Sequence, residues 1–173
     1  SEVYDDAKRV TRTVVHLLPR IVVVIDDAVL NEAQPISLRW HTLAIPELST
    51  DGSFVFEGKQ SQMSARVVRL DGDSSIQIRQ HEYHEPYHQD ALGDPLIQRR
   101  EPFVELTAQD STCRVATLFY VHELATEPAH WRDIPNGFSI ETEEGSIKIQ
   151  LTPESLDVHN SKTESRWKVA LPT

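Results

Sequence analysis

Residues 11–42 read TRTVVHLLPRIVVVIDDAVLNEAQPISLRWHT, and three β-rich runs stand out in them. Val14 to Leu18 is the first, punctuated by Pro19-Arg20. Ile21 to Ile25 is an unbroken aliphatic run that stops at Asp26-Asp27, and Ile36 to Leu43 then alternates. Val, Ile and Trp suit pleated, half-buried surfaces, and an uninterrupted aliphatic run suits a strand covered on both faces. The run is too short for a membrane span and short for a core helix. These residues predict three antiparallel strands at the centre of a sheet, with Asp26 to Pro35 as a connecting loop.

Working outward, the same chemistry recurs. Asp51-Gly52 is a strong hairpin signal, and Asp71-Gly72-Asp73 reads as a second one between Ser64–Leu70 and Ser75–His81. Residues 82–102 hold Pro86, Pro95 and few aliphatics, and read as a long irregular excursion. Phe103 to Gln109 and Cys113 to His122 are strands on either side of a turn at Asp110-Ser111. Further strands are predicted over 137–141, 146–151, 155–159 and 166–171. No sustained 3.6-residue periodicity, repeat or low-complexity segment occurs. About eleven to twelve strands at this spacing predict an all-β, antiparallel β-sandwich spanning 1–173 as one domain.

Composition narrows the function. The chain has 173 residues, 39% of them hydrophobic, enough for a sizeable core. Its formal net charge is -10 and its pI about 5.2, so it repels nucleic acid and anionic membranes as partners. An acidic polysaccharide is repelled too, unless basic residues cluster locally. Cys113 is the sole cysteine, which excludes an internal disulfide and a multi-cysteine metal site. The polar opening SEVYDDAKR reads like the middle of something longer.

Several residues could carry chemistry. His81, His84 and His88, with Glu82 and Glu85 among them, could ligate zinc or another divalent metal, but their spacing is not H-E-x-x-H and Pro86 forbids its helix. His41 and Arg39 share a strand face, opposite Leu38 and Trp40, and could neutralise a sugar carboxylate in a cleft. Trp131, between His130 and Arg132, is a candidate for stacking on sugar; packing is the alternative for it, as core is for Trp40. Asp26-Asp27 could be an acid/base pair but reads first as a turn and cap. Arg99-Arg100 reads as a solvated pair, and Cys113 as a buried, inert thiol. No nucleophile-elbow, P-loop or dinucleotide motif is present.

The sequence Arg12 to Leu18, Ile21 to Asp27 and Leu38 to Thr42, with the Asp51-Gly52 hairpin and Gln80 to Pro86 after it, resembles the C-terminal β-sheet domain of the heparinase II/III-like polysaccharide lyases, which include alginate lyases. The resemblance covers the first half of the chain; from Phe103 onward only the strand pattern is compatible. It implies a lyase that cleaves uronate-containing polysaccharide by β-elimination. It also implies a partner, an N-terminal α/α toroid domain: the family's principal catalytic residues lie on it and on the start of the β region, and a zinc-binding histidine-rich motif and a His-Asn motif also precede the part matched here. None of those motifs lies upstream of Val10, and His159-Asn160 is at the wrong end to be the family's His-Asn motif. The resemblance therefore implies a non-catalytic supporting domain, with no catalytic residue and no cofactor of its own. His41, helped by Arg39, would line the substrate subsite. A periplasmic or secreted location is favoured, with cytoplasmic the alternative. Two other readings compete: a free-standing carbohydrate-binding module, and a small metal-dependent β-barrel enzyme using His81, His84 and His88.

Overall fold

The computed structural model describes residues 6–17, 19–42, 45–71, 77–83, 101–124, 131–142 and 145–171. Among them the chain forms strands and no helix. In chain order these are β1 (Ala7–Leu17), β2 (Ile21–His41), β3 (Glu47–Leu48), β4 (Ser53–Glu57), β5 (Ser61–Arg69), β6 (Gln77–Tyr83) and β7 (Glu101–Glu123). They continue with β8 (Arg132–Ile134), β9 (Gly137–Thr142), β10 (Gly145–Leu151), β11 (Ser155–Asn160) and β12 (Ser165–Ala170). Every pairing is antiparallel. The larger sheet runs β1-β2-β7-β5-β4-β3, with β6 also on β7, and the smaller runs β12-β11-β10-β9-β8. The all-β sandwich expected from the pattern is what forms.

The aliphatic run Ile21 to Ile25 is covered on both faces, as its composition requires. Ile21, Val23 and Ile25 point into the inter-sheet core, with Leu118 from β7 and Ile140, Ile149 and Leu156 from the smaller sheet. Val24 points the other way, into a second core with Phe54, Phe119, Val104 and Leu106. That second core is closed by the distal half of the same ribbon: Ile36, Leu38 and Trp40 of β2 and Val104, Leu106 and Ala108 of β7.

The ribbon must therefore bend. A straight strand would hold Val22 and Trp40 about 60 Å apart, yet both wall one cavity. The Trp40 ring meets Phe119 edge-on at 4.9 Å, and the Arg12 guanidinium sits 4.8 Å from its centroid. The register of β2 against β7 shifts between Val29 and Gln34, and the strand turns there.

Charged side chains hold the bend. Arg69 of β5 donates to Asp110 Oδ2 at 2.9 Å and to the Thr112 carbonyl at 2.8 Å. It also donates to Asp71, whose Oδ1 accepts the Arg114 backbone N–H at 2.7 Å. Burial acts to lower the Arg69 pKa, but hydrogen bonds to Asp110 and Asp71 outweigh it and raise it, keeping the cation charged. Asp27 lies between Arg9 at 3.1 Å and Arg114 at 3.8 Å.

Three expectations are corrected here. Asp26 to Pro35 is not a loop: it lies inside β2, because Asp26 and Asp27 find cross-strand arginines and β7 supplies a ladder on both sides of the shift. Likewise Asp110-Ser111 does not end a strand. Its carboxylate accepts its neighbour's N–H and the Arg69 guanidinium, so the local turn signal is satisfied within the bend of β7. Third, β5 and β6 do not form a hairpin with each other. Both pair with β7, β5 on its C-terminal half and β6 on its N-terminal half. The Asp51-Gly52 hairpin does form: Gly52 has φ 81°, and β3 pairs with β4 across it.

Val14 and Val24 are direct cross-strand partners, but the ribbon covers only Val24; Val14 is 59% exposed. Val24→Ala is expected to cost about 2 kcal/mol in urea unfolding, and Val14→Ala no more than about 0.5 kcal/mol. Equal costs at the two sites would mean that the ribbon does not fold over.

Candidate functional site

The bend creates a concavity. Where the end of β2 approaches the sheet it left, a cavity of about 500 Å³ opens between Trp40–Thr42 and the β4–β5 connection. Its floor is apolar, built from Val22, Val24, Phe119 and Met63. Two polar atoms of its wall, Trp40 Nε1 and Gln62 Oε1, are buried and have no hydrogen-bond partner. Gln62 is held in place by its own amide N–H, which donates to Glu57 Oε1 at 2.7 Å.

His41 stands at the rim of this cavity, exposed, with its ring stacked on Phe103 at 5.3 Å. Arg39 lies over the same ring, 5.2 Å from its centroid. The cross-strand register pairs Arg39 with Glu105 and His41 with Phe103, which brings the two predicted residues together on one platform. Arg39 is not a bare cation: it contacts Glu105 Oε1 at 3.0 Å, and Ser37 Oγ donates to the same oxygen at 2.7 Å. A substrate carboxylate there would exchange for Glu105 rather than meet an unpaired guanidinium.

Trp131 is elsewhere. It is 6% exposed, part of the inter-sheet core, and its indole N–H donates to the Ser64 carbonyl at 3.4 Å. Its loop-like sequence context suggested a stacking platform; the closing smaller sheet buries it instead. His81 lies on β6 opposite Phe103, but its side chain is outside the described residues, as are His84, His88 and Arg99-Arg100. Among the described residues no group of three metal-ligating side chains is gathered.

The remaining candidates are structural. Asp26 accepts from Arg12 Nε at 2.6 Å, and Asp27 is held by Arg9 and Arg114, so neither carboxylate is poised for acid/base work. Asn160 Oδ1 accepts the N–H groups of Lys162 and Thr163 and shapes the turn after β11. Missed in the sequence were Gln62, Met63 and Phe119 as cavity walls. Nothing local marks them, because only the folded-over ribbon brings them opposite Trp40.

No protein-family model and no curated protein matches the chain. Among solved structures it is similar to a heparan sulfate lyase HepC mutant from Pedobacter heparinus, at 13% identity and a TM-score of 0.59, over 99% of this chain and 25% of that one. It is also similar to two heparinase III structures, each at 12% identity, with TM-scores of 0.60 and 0.59, over 99% and 100% of this chain and 25% of each of theirs. At this identity the likeness is one of fold: the sandwich is heparinase-like. The chain spans about a quarter of the length of these structures.

Burial pushes the Cys113 thiol up from 9.0 to about 11, against the pull of nearby Arg69. Its native thiolate fraction at pH 8 should be about a hundredfold below that of an unfolded cysteine. Alkylation at pH 8 should therefore be slow in buffer and fast in denaturant. The raised value also means that the stability contributed by keeping Cys113 protonated is fully present below pH 9.0 and is lost as pH rises from there through about 11.

Proposed function

We propose that this chain is the C-terminal β-sandwich domain of a polysaccharide lyase that cleaves uronate-containing polysaccharide by β-elimination. In this reading it buttresses an α/α toroid domain carried elsewhere on the lyase, and lines one wall of the substrate cleft with His41 and Arg39. The observation that carries the reading is the likeness along the whole chain to one quarter of heparinase-type lyase chains. The placement of His41 on the rim of the 500 Å³ cavity adds to it.

β-Elimination needs a base at C5, a group that neutralises the carboxylate and an acid for the leaving oxygen. His41 and Arg39 suit the second task. Arg39 can exchange the Glu105 carboxylate for a uronate carboxylate without leaving its charge unpaired, and His41 offers a ring nitrogen beside it. In this reading the other two tasks fall to the toroid domain. Any divalent metal would belong with the toroid and the start of the β region.

A carbohydrate-binding module would present a row of exposed aromatics. Here Trp40 is half-buried, Trp131 is buried and Trp167 stands alone at 47% exposure among the tryptophans.

In a full-length lyase containing this domain, His41→Ala should lower kcat/KM about tenfold or more, the worth of one charge-assisted hydrogen bond. Unsaturated-uronate absorbance reads the rate, and an unchanged thermal midpoint shows that folding is intact. Unaltered kcat/KM would remove His41 from the cleft. The 173-residue chain alone should produce no such absorbance; if it does, the supporting-domain reading fails.

A further inference from the structure

We propose that the outer face of the five-stranded sheet is a second, non-catalytic binding site for an anionic polysaccharide, a grip on the polymer away from the cleft. The polymer class is taken from the reading above; the site itself is argued from the register of the sheet.

One cross-strand row traverses all of β8 to β12. Arg132 pairs with Ser139, Ser139 with Lys148, Lys148 with His159, and His159 with Arg166. The row lies on the side away from the inter-sheet core, because the residues alternating with it, Phe138, Ile149 and Val158, fill that core; its cations are exposed, while Ser139 between them is buried. Strands lie about 4.8 Å apart, so Arg132, Lys148 and Arg166, on alternate strands, recur about every 10 Å. In the next row Lys168 follows Gln150 and Asp157. A groove of about 410 Å³ lies over Lys148, Gln150, His159, Arg166 and Lys168.

The charges are available. Arg132, Lys148 and Arg166 are exposed and form no ion pair among the described residues. Lys168 meets Asp157 only at 3.7 Å, with its side chain 71% exposed. The acids nearby are Asp157, Glu141 and Glu164, the last 3.7 Å from His159 Nε2, a buried nitrogen with no hydrogen-bond partner. Cations thus outnumber acids on this face, in a chain whose net charge is -10. A polyanion is repelled by the rest of the surface and attracted here. Regular spacing across a flat sheet suits a linear polymer with repeating sulfates or carboxylates rather than a single small anion. Trp167, 47% exposed, lines the same groove and offers a face for a sugar ring or a base, so binding of a thymidine oligonucleotide is what separates the two polymers.

The test is a titration of the chain with a heparin-derived oligosaccharide at several salt concentrations. The variant carries Lys148→Ser and Arg166→Ser together. Both sites are exposed, so the thermal midpoint should hold. Affinity should fall about tenfold, and the slope of log K against log salt should become shallower by about two, one counterion per cation removed. Lys8→Ser, on β1 of the other sheet, should change neither. The proposal is overturned if the double variant binds like the parent, or if dextran or a thymidine oligonucleotide binds as tightly as the heparin fragment. The His41→Ala lyase assay reports only on the cleft and this titration only on the outer face, so either reading can fail alone.

Discussion

The ladder between β2 and β7 is the constraint on which the molecule depends. It runs from Ile21 opposite Tyr120 to His41 opposite Phe103, with one shift on the way. Of the other strands of the larger sheet, β1, β5 and β6 pair directly with β2 or β7, and β4 and then β3 extend the sheet from β5. Because two long strands stay paired while they bend, their backbone groups remain satisfied through the turn, and the distal half arrives over the sheet as a preformed cover. One ribbon thus supplies the middle of a sheet and part of the lid on that sheet's far face.

The bend has an electrostatic cost that the fold offsets locally. Asp27, Asp71 and Asp110 crowd toward it, and a chain this acidic gains nothing from bringing carboxylates together. Arg9, Arg69 and Arg114 answer them, with Arg69 almost wholly buried and spending its donors on two carboxylates and a carbonyl. Buried ion pairs of this kind specify geometry more than they add stability. The same logic explains why Asp26 and Asp27 hold the ribbon and do no chemistry.

Function and fold meet at the ribbon's end. Trp40 closes the second core with its ring, while His41, its neighbour on the opposite face, reaches the rim of the cavity. The smaller sheet presents a different surface: alternating strands, core inward, and a cationic row outward.

Period-2 patterning and turn chemistry determined most of the secondary structure from the sequence alone. Four strands of the smaller sheet, β9 to β12, lie where alternation places them, whereas β8 (Arg132–Ile134) falls in a stretch that reads as a loop; the Asp51-Gly52 hairpin forms, Cys113 is buried, and the aliphatic run Ile21 to Ile25 is covered on both faces. The pairing of Arg39 with His41 on one face was legible too, since strand alternation is local. What only the tertiary structure decided is what lies opposite what. Asp26 to Pro35 and Asp110-Ser111 carry strong local turn signals, and partners far away in the chain overrode them by accepting their charges. Trp131 looked like a loop aromatic until a second sheet closed over it. The cavity wall of Gln62, Met63 and Phe119, and the cationic row across β8 to β12, exist only through register, which a sequence pattern restricts to one face or the other but cannot align.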